Sequence, residues 1–309
     1  MNKKIVFMGT SDFAVPILKS LYQNGYSVST VYTQPPKKSN RGQKFNKSPI
    51  HIFSETLGYE VRTPASLKNN IQERNFLKNL KLDLVVVVAY GQIIPKDFLN
   101  LSKKGFINIH ASLLPKWRGA APIQRSLMNL EKETGISFMK INEKMDEGPI
   151  YNIFSTQIKD NENAKDLSVR LSNLAAEKIL FCLDDIFENK AIFKQQDGNK
   201  ATYAKKIQKS EGKIFWENNA KKILGKINGL YPSPGAWFLF KGERYKILKA
   251  EFSNAKGNPG VILSENFEIG CKESSIKVLE IQREGKKSQS IKEFTLGTKI
   301  KKGTDLNNA

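Results

Sequence analysis

The chain has 309 residues, 39 % of them hydrophobic, which is enough for two domains with their own cores. Fifty Lys+Arg stand against thirty Asp+Glu, and the formal net charge of +20 fits equally a polyanionic partner or a protein whose every surface is lysine-rich. Two distant cysteines, Cys182 and Cys271, argue against a disulfide framework or a zinc site, and the longest apolar run, 84–90, is too short to span a bilayer. The expectation is a cytoplasmic protein with no membrane segment, no metal and no obligate protein partner.

Residues 3–9, KKIVFMG, read as a strand ending on a glycine, not as a targeting segment, because the chain turns polar after Met8. A helix is predicted over 12–25, with Asp12 as N-cap and Gly25 at C′. The β-branched and aromatic residues of 26–33 predict a second strand. A basic loop with two prolines and a glycine follows over 34–48, then helices over about 49–57 and 66–80. DLVVVVAYG, residues 83–91, is a continuous apolar strand of the kind covered on both faces of a parallel sheet. Another strand spans 105–111, and strand and helix signals continue through TGISFMKI and 164–188. Alternation of this kind implies an α/β, doubly wound, mostly parallel sheet, with ligands outside the carboxyl ends of its strands. Three such ends are candidates: Gly9 with Thr10, Ala89 to Gly91, and Asn108 to His110.

The pattern changes near residue 205. One helix over 218–231 precedes several short strands punctuated by Lys241-Gly242-Glu243 and Asn258-Pro259-Gly260, a pattern that fits a small OB-like β-barrel. Residues 205–309 hold 21 Lys+Arg and 11 Asp+Glu, about twice the net positive charge per residue of the rest. The expected division is 1–189 as the first domain, 190–208 as a linker and 209–309 as a basic second domain.

FINIHASLLPKWRGAAPIQ, residues 106–124, contains one of only two histidines. Asn108 and His110 are two apart on a strand, so their side chains share a face. An asparagine amide can donate to an oxygen gaining negative charge, and a histidine can move protons near neutral pH. A third polar group usually orients such a histidine, and Asp146 in KMDEGPIY is the candidate. His51, Trp216 and Trp237 read as structural, Cys182 as a buried, inert thiol, and Trp117 as either a packed or a ligand-touching aromatic.

INIHASLLPKWRGAAPIQ with MDEGPIY resembles the folate-dependent formyltransferase family. Four further stretches resemble the members of that family that act on methionyl initiator tRNA. They are VFMGTSDFAVPIL, SNRGQKFNKSPI, ATYAKKIQKSEGKIFW and LYPSPGAW, and the matches run from residue 5 to about 240. The resemblance implies 10-formyltetrahydrofolate as donor and the α-amine of initiator Met-tRNA as acceptor. It implies Asn108, His110 and Asp146 as catalytic residues. It places Val88, Ala89, Tyr90, Gly91, Ser112, Leu113, Leu114 and Pro115 along the folate pocket. It assigns Lys37, Lys38, Arg41, Lys44 and Lys47 to a loop entering the tRNA acceptor stem. Formyl transfer to a different amine or to water is the alternative chemistry. A non-catalytic RNA-binding protein on an enzyme scaffold is the alternative of a different class, against which the intact Asn108, His110 and Asp146 stand.

Overall fold

The structure, a computed structural model, describes residues 3–39 and 44–307. The chain divides into two compact units. The first comprises Met1–Ala120, Gly135–Thr156 and Ser168–Ala204, and the second Ala121–Thr134, Gln157–Leu167 and Lys205–Ala309. In chain order the elements begin with β1 (Lys4–Gly9), α1 (Val15–Gln23), β2 (Ser27–Tyr32), β3 (Lys37–Ser39), β4 (Lys44–Asn46), α2 (Pro49–Thr56), β5 (Val61–Arg62) and α3 (Ile71–Asn79). Then come β6 (Leu84–Val88), α4 (Lys96–Leu99), β7 (Phe106–His110), β8 (Arg118–Gly119), α5 (Pro122–Met128), β9 (Glu133–Lys140), β10 (Ile150–Gln157), α6 (Ala164–Phe187) and β11 (Tyr203–Ala204). The second unit adds α7 (Ala220–Gly229), β12 (Ala236–Phe240), β13 (Glu243–Ser253), β14 (Glu268–Gly270), β15 (Ser275–Arg283), β16 (Gln289–Ser290) and α8 (Ile291–Gly297).

The main sheet has seven strands in the order β10-β9-β7-β6-β1-β2-β5. The pairs β1 with β2, β1 with β6, β2 with β5 and β6 with β7 are parallel, and β7 with β9 is antiparallel. Every residue of β6 is buried, as a strand covered on both faces requires. After β1 the chain builds outward on one side through β2 and β5, then returns to place β6 on the other. The order therefore reverses between β1 and β6, and the crevice at their carboxyl ends is where such sheets take ligands. Thr10, at the end of β1, donates from Oγ1 to the Tyr90 carbonyl at 2.8 Å, tying the two strand ends together.

Local structure departs from expectation where side chains compete with propensity. The predicted helix over 12–25 starts as a 3-10 turn, Asp12–Ala14, and no Asp12 cap forms; α1 then begins with Pro16 in its first turn, where a missing N–H costs nothing. Its end is as expected. Gly25 takes φ +73°, its N–H donates to Tyr22 O at 3.2 Å, and Tyr26 N–H reaches Leu21 O at 3.0 Å. The helix expected over 66–80 starts only at Ile71, because Asn70 Oδ1 caps it by accepting from Glu73 N–H at 3.1 Å. The loop expected over 34–48 contains the antiparallel pair β3–β4.

The segment 190–208, read as a linker, makes specific pairings within the first unit up to Ala204. Lys194 and Ile150 exchange backbone hydrogen bonds of 2.8 Å in both directions. β11 pairs in parallel with β8.

The second unit is built on an antiparallel sheet of order β12-β13-β15-β14, with β16 on β15. The described ladders do not join β12 to β14. β13 buries Tyr245, Ile247 and Ala250 and leaves the residues between them partly open, the alternation of a sheet with one buried face. Register shifts near Lys249 mark a bulge, which bends the strand around its core. Ile223 and Ile227 of α7 pack into that core with Phe238, Ile281 and Phe294. Among the described residues, no helix is long and apolar enough to cross a membrane.

Candidate active site

β7 delivers Asn108 and His110 to the end of the sheet on one face, opposite Met139 and Ser137 of β9. His110 is 6 % exposed. Its Nε2 lies 2.9 Å from the Trp117 carbonyl oxygen. A carbonyl can only accept, so Nε2 carries the proton and the neutral ring has its lone pair on Nδ1. Nδ1 faces Asp146 Oδ2 at 3.7 Å. Between a lone pair and a carboxylate there is no hydrogen bond. Asn108 Nδ2 stands 3.5 Å from Asp146 Oδ1, at the outer limit of a hydrogen bond, so the amide keeps donor capacity for another oxygen.

Asp146 sits in the left-handed region at φ +55°. Gly119 N–H donates to its Oδ2 at 2.8 Å. Gly119 has φ +118°, and a Cβ there would come within 2.8 Å of Ala204 O, so the β8–β11 pairing is possible only with glycine at this position. Gln196 Nε2 donates to the carbonyls of Asp146 and Gly148, both at 2.8 Å, while Gln196 Oε1 accepts from Arg118.

The loop after β7 is pinned from below. Ser137 Oγ donates to Ser112 O at 2.7 Å and accepts from Leu114 N–H at 3.1 Å. Ser112 and Leu114 are buried, so Leu113 and Pro115, both half-buried, form the open part of the expected pocket wall. At the β6 end the same division appears. Val88 and Tyr90 turn into the core, where burial first, and then the Glu73 carboxylate, push the Tyr90 phenol above its ordinary value. Ala89 and Gly91 are exposed. Gly91, at φ +75°, has Gln34 Nε2 where a Cβ would go, and that amide donates to the Tyr90 and Gly91 carbonyls at 3.1 and 2.9 Å.

Of the expected basic loop, Lys37 Nζ donates to Gln34 Oε1 and Lys47 pairs with Glu55 at 2.6 Å. Arg41 lies outside the described residues, as do the side chains of Lys38 and Lys44.

The structure brings Asn108, His110 and Asp146 together, and their supports came from elsewhere in the chain. Ser137, Arg118 and Gln196 carry no local signal in the sequence. Arg118 lay inside the stretch WRG, and Gln196 inside the expected linker. Trp117 meets His110 through its backbone carbonyl.

The profile of the family described as formyl transferase matches residues 3–182, and that of the formyl transferase C-terminal domain matches 206–299. The chain belongs to the formyl transferase family. It is 64 % identical over 309 residues, the whole of both chains, to a methionyl-tRNA formyltransferase of Pelagibacter ubique (strain HTCC1062). It is 42 % identical over 307 residues to another of Caldanaerobacter subterraneus subsp. tengcongensis, covering 98 % of this chain and 99 % of that one. Among solved structures, a sugar 3N-formyl transferase, WlaRD, studied with dTDP and 5-N-formyl-THF, shares the fold at a TM-score of 0.70. It is 21 % identical and covers 93 % of this chain and 100 % of that one. Formyl transferases thus span the chain from the first strand of the parallel sheet to the second unit.

Proposed function

We propose that this enzyme transfers the formyl group of 10-formyltetrahydrofolate to the α-amine of methionyl initiator tRNA, with Asn108, His110 and Asp146 as catalytic residues. Full-length identity to methionyl-tRNA formyltransferases supports the formylation of methionyl-tRNA. The observation that carries the chemistry is the meeting of an amide donor, a tautomer-fixed imidazole and a carboxylate at one strand end.

The amine nitrogen attacks the formyl carbon, and the carbonyl oxygen becomes an oxyanion. Asn108 Nδ2–H donates to that oxygen, an interaction strongest where charge develops. The attacking nitrogen gives up a proton to His110 Nδ1, the one ring nitrogen free to accept it. Asp146 Oδ2 stabilises the resulting imidazolium. The bond from the formyl carbon to N10 then breaks, N10 takes the proton back from His110, and tetrahydrofolate leaves. The products are the formamide of the methionyl ester and a reduced folate with N–H at N10, so atoms and charge balance.

The donor lies, in this reading, against the open residues Ala89, Gly91, Leu113 and Pro115, while Val88, Tyr90, Ser112 and Leu114 hold that wall from within. The acceptor stem meets the basic segment of the sequence that holds Lys37, Lys38, Arg41, Lys44 and Lys47. The Lys47–Glu55 pair is exposed and weak, so Lys47 can exchange its carboxylate for a phosphate. We place the boundary between the catalytic and RNA-binding parts within 190–208, and the protein in the cytoplasm.

The deciding experiment incubates the protein with 10-formyltetrahydrofolate and Met-charged initiator or elongator tRNA. Formyl-methionyl initiator tRNA is the expected product. Formylation of both tRNAs alike removes the initiator assignment, and formate release without tRNA formylation favours hydrolysis.

A further inference from the structure

We infer that Gln196 is the positioning residue that sets Asp146 for formyl transfer, a carboxamide brace between Arg118 and the Asp146 loop. The inference rests on the reading of Asn108, His110 and Asp146 as the catalytic group.

The orientation of the brace follows from donor and acceptor counting. Arg118 is 4 % exposed and has donors only. Its Nε and Nη2 lie 3.0 and 2.9 Å from Gln196 Oε1, so that atom is the oxygen and the amide cannot flip. Arg118 is itself held on the far side, where Nη1 lies 3.3 Å from Glu147 Oε1. With the oxygen fixed, Gln196 Nε2 points both of its hydrogens at the Asp146 loop. They meet the carbonyls of Asp146 and Gly148 at 2.8 Å each. Every donor and acceptor of the carboxamide is therefore occupied by groups that set one loop.

That loop needs holding. Asp146 is at φ +55°, a conformation that non-glycine residues keep only when their surroundings impose it. Gly148 is pressed onto β9 so closely that a Cβ would lie 1.8 Å from Lys140 O. The carboxylate is fixed separately, by the Gly119 N–H. Gly119 in turn is placed by β11, which lies eight residues beyond Gln196 on the same segment. Thr202 adds two more ties to the histidine side of the site, accepting from Trp117 N–H at 2.8 Å and donating its own N–H to Pro115 O at 3.3 Å. The segment 194–204 thus holds the backbone on both sides of the His110–Asp146 contact, and Gln196 is the side chain whose hydrogen bonds reach the Asp146 loop. Gln196 hydrogen-bonds to none of the three catalytic side chains, so its effect passes through the position of Asp146.

The test uses the full-length enzyme, Met-tRNA and 10-formyltetrahydrofolate, with steady-state and single-turnover rates and a melting curve. Gln196→Glu keeps the acceptor for Arg118 but turns an oxygen toward two carbonyls, and Gln196→Ala removes the brace without repulsion. Both are expected to lower kcat about ten- to a hundredfold, with KM for either substrate changed less than about threefold. Asp146→Asn is expected to lower kcat at least as much, and Gln196→Ala added to Asp146→Asn to cost less than about twofold more. Retained kcat in both Gln196 variants beside an impaired Asp146→Asn overturns the brace and leaves the catalytic reading standing. Costs that multiply in the double variant, or losses that follow the fall in melting temperature, overturn it as well. Full activity of Asp146→Asn removes the reading of the site itself.

Discussion

β6 and β13 show two ways of using a strand. All five residues of β6 are buried, so no side chain along it is free to meet a ligand. β13 alternates, burying Tyr245, Ile247 and Ala250 and leaving residues between them partly open. A parallel sheet covered on both faces can offer chemistry only where its strands stop, and the proposed site lies at such ends, near Gly9, Val88 and His110. An antiparallel sheet with one buried face offers breadth instead, with the other face free to carry charge. Residues 205–309, with 21 Lys+Arg against 11 Asp+Glu, have the composition for that. The proposed function assigns chemistry to the first unit and diffuse attraction for RNA to the second.

Two experiments can break that contrast. His110→Ala is expected to lower formyl transfer by about two to four orders of magnitude, measured by single-turnover assay, with tRNA affinity unchanged by filter binding. A matching loss of tRNA affinity would mean that catalysis and RNA binding are not separated in this way. Raising salt from about 50 to about 200 mM is expected to weaken tRNA binding at least tenfold while leaving folate binding nearly constant, because phosphate contacts release counterions. Equal sensitivity of the two ligands would count against a basic RNA surface.

The smallest expected effect concerns the far edge of the first sheet. Burial works to raise the Glu73 carboxyl, but hydrogen bonds from Arg62, at 2.7 and 2.8 Å, and from Tyr32, at 2.6 Å, outweigh it and hold that group below its ordinary value near 4.5. A carboxyl lowered in the folded state contributes stability that is fully present above its unfolded value and lost as pH falls through the folded one. Glu73→Gln is therefore expected to be about 1–3 kcal/mol less stable by denaturant titration at neutral pH, with the gap closing below about pH 4.5. A gap that persists at low pH would assign the loss to packing.

How far the chain could be read without coordinates is clear from particular residues. The apolar run of β6, the Gly25 helix stop and the pair Asn108 and His110 are local patterns, and each sits where its period or turn chemistry puts it. Asp146 was legible as an acid in a glycine-proline turn. The resemblance implies Val88 to Gly91 along the folate pocket; Val88 and Tyr90 are buried, while Ala89 and Gly91 are exposed, a division no local pattern gave.

By itself the sequence determined the central strands β1, β2, β6 and β7, the order of local motifs, the basic charge and the family, since all of these depend on neighbours in the chain. Only the tertiary structure decided which nitrogen of His110 is free, because the Trp117 carbonyl that binds the other is seven residues away across a turn. Only it showed the pairings that 190–204 makes, of Lys194 with Ile150 and of β11 with β8. Hydrogen bonds such as Gln196 to Asp146, fifty residues apart, are set by where the folded backbone brings a donor to an acceptor, and no local spacing encodes that meeting.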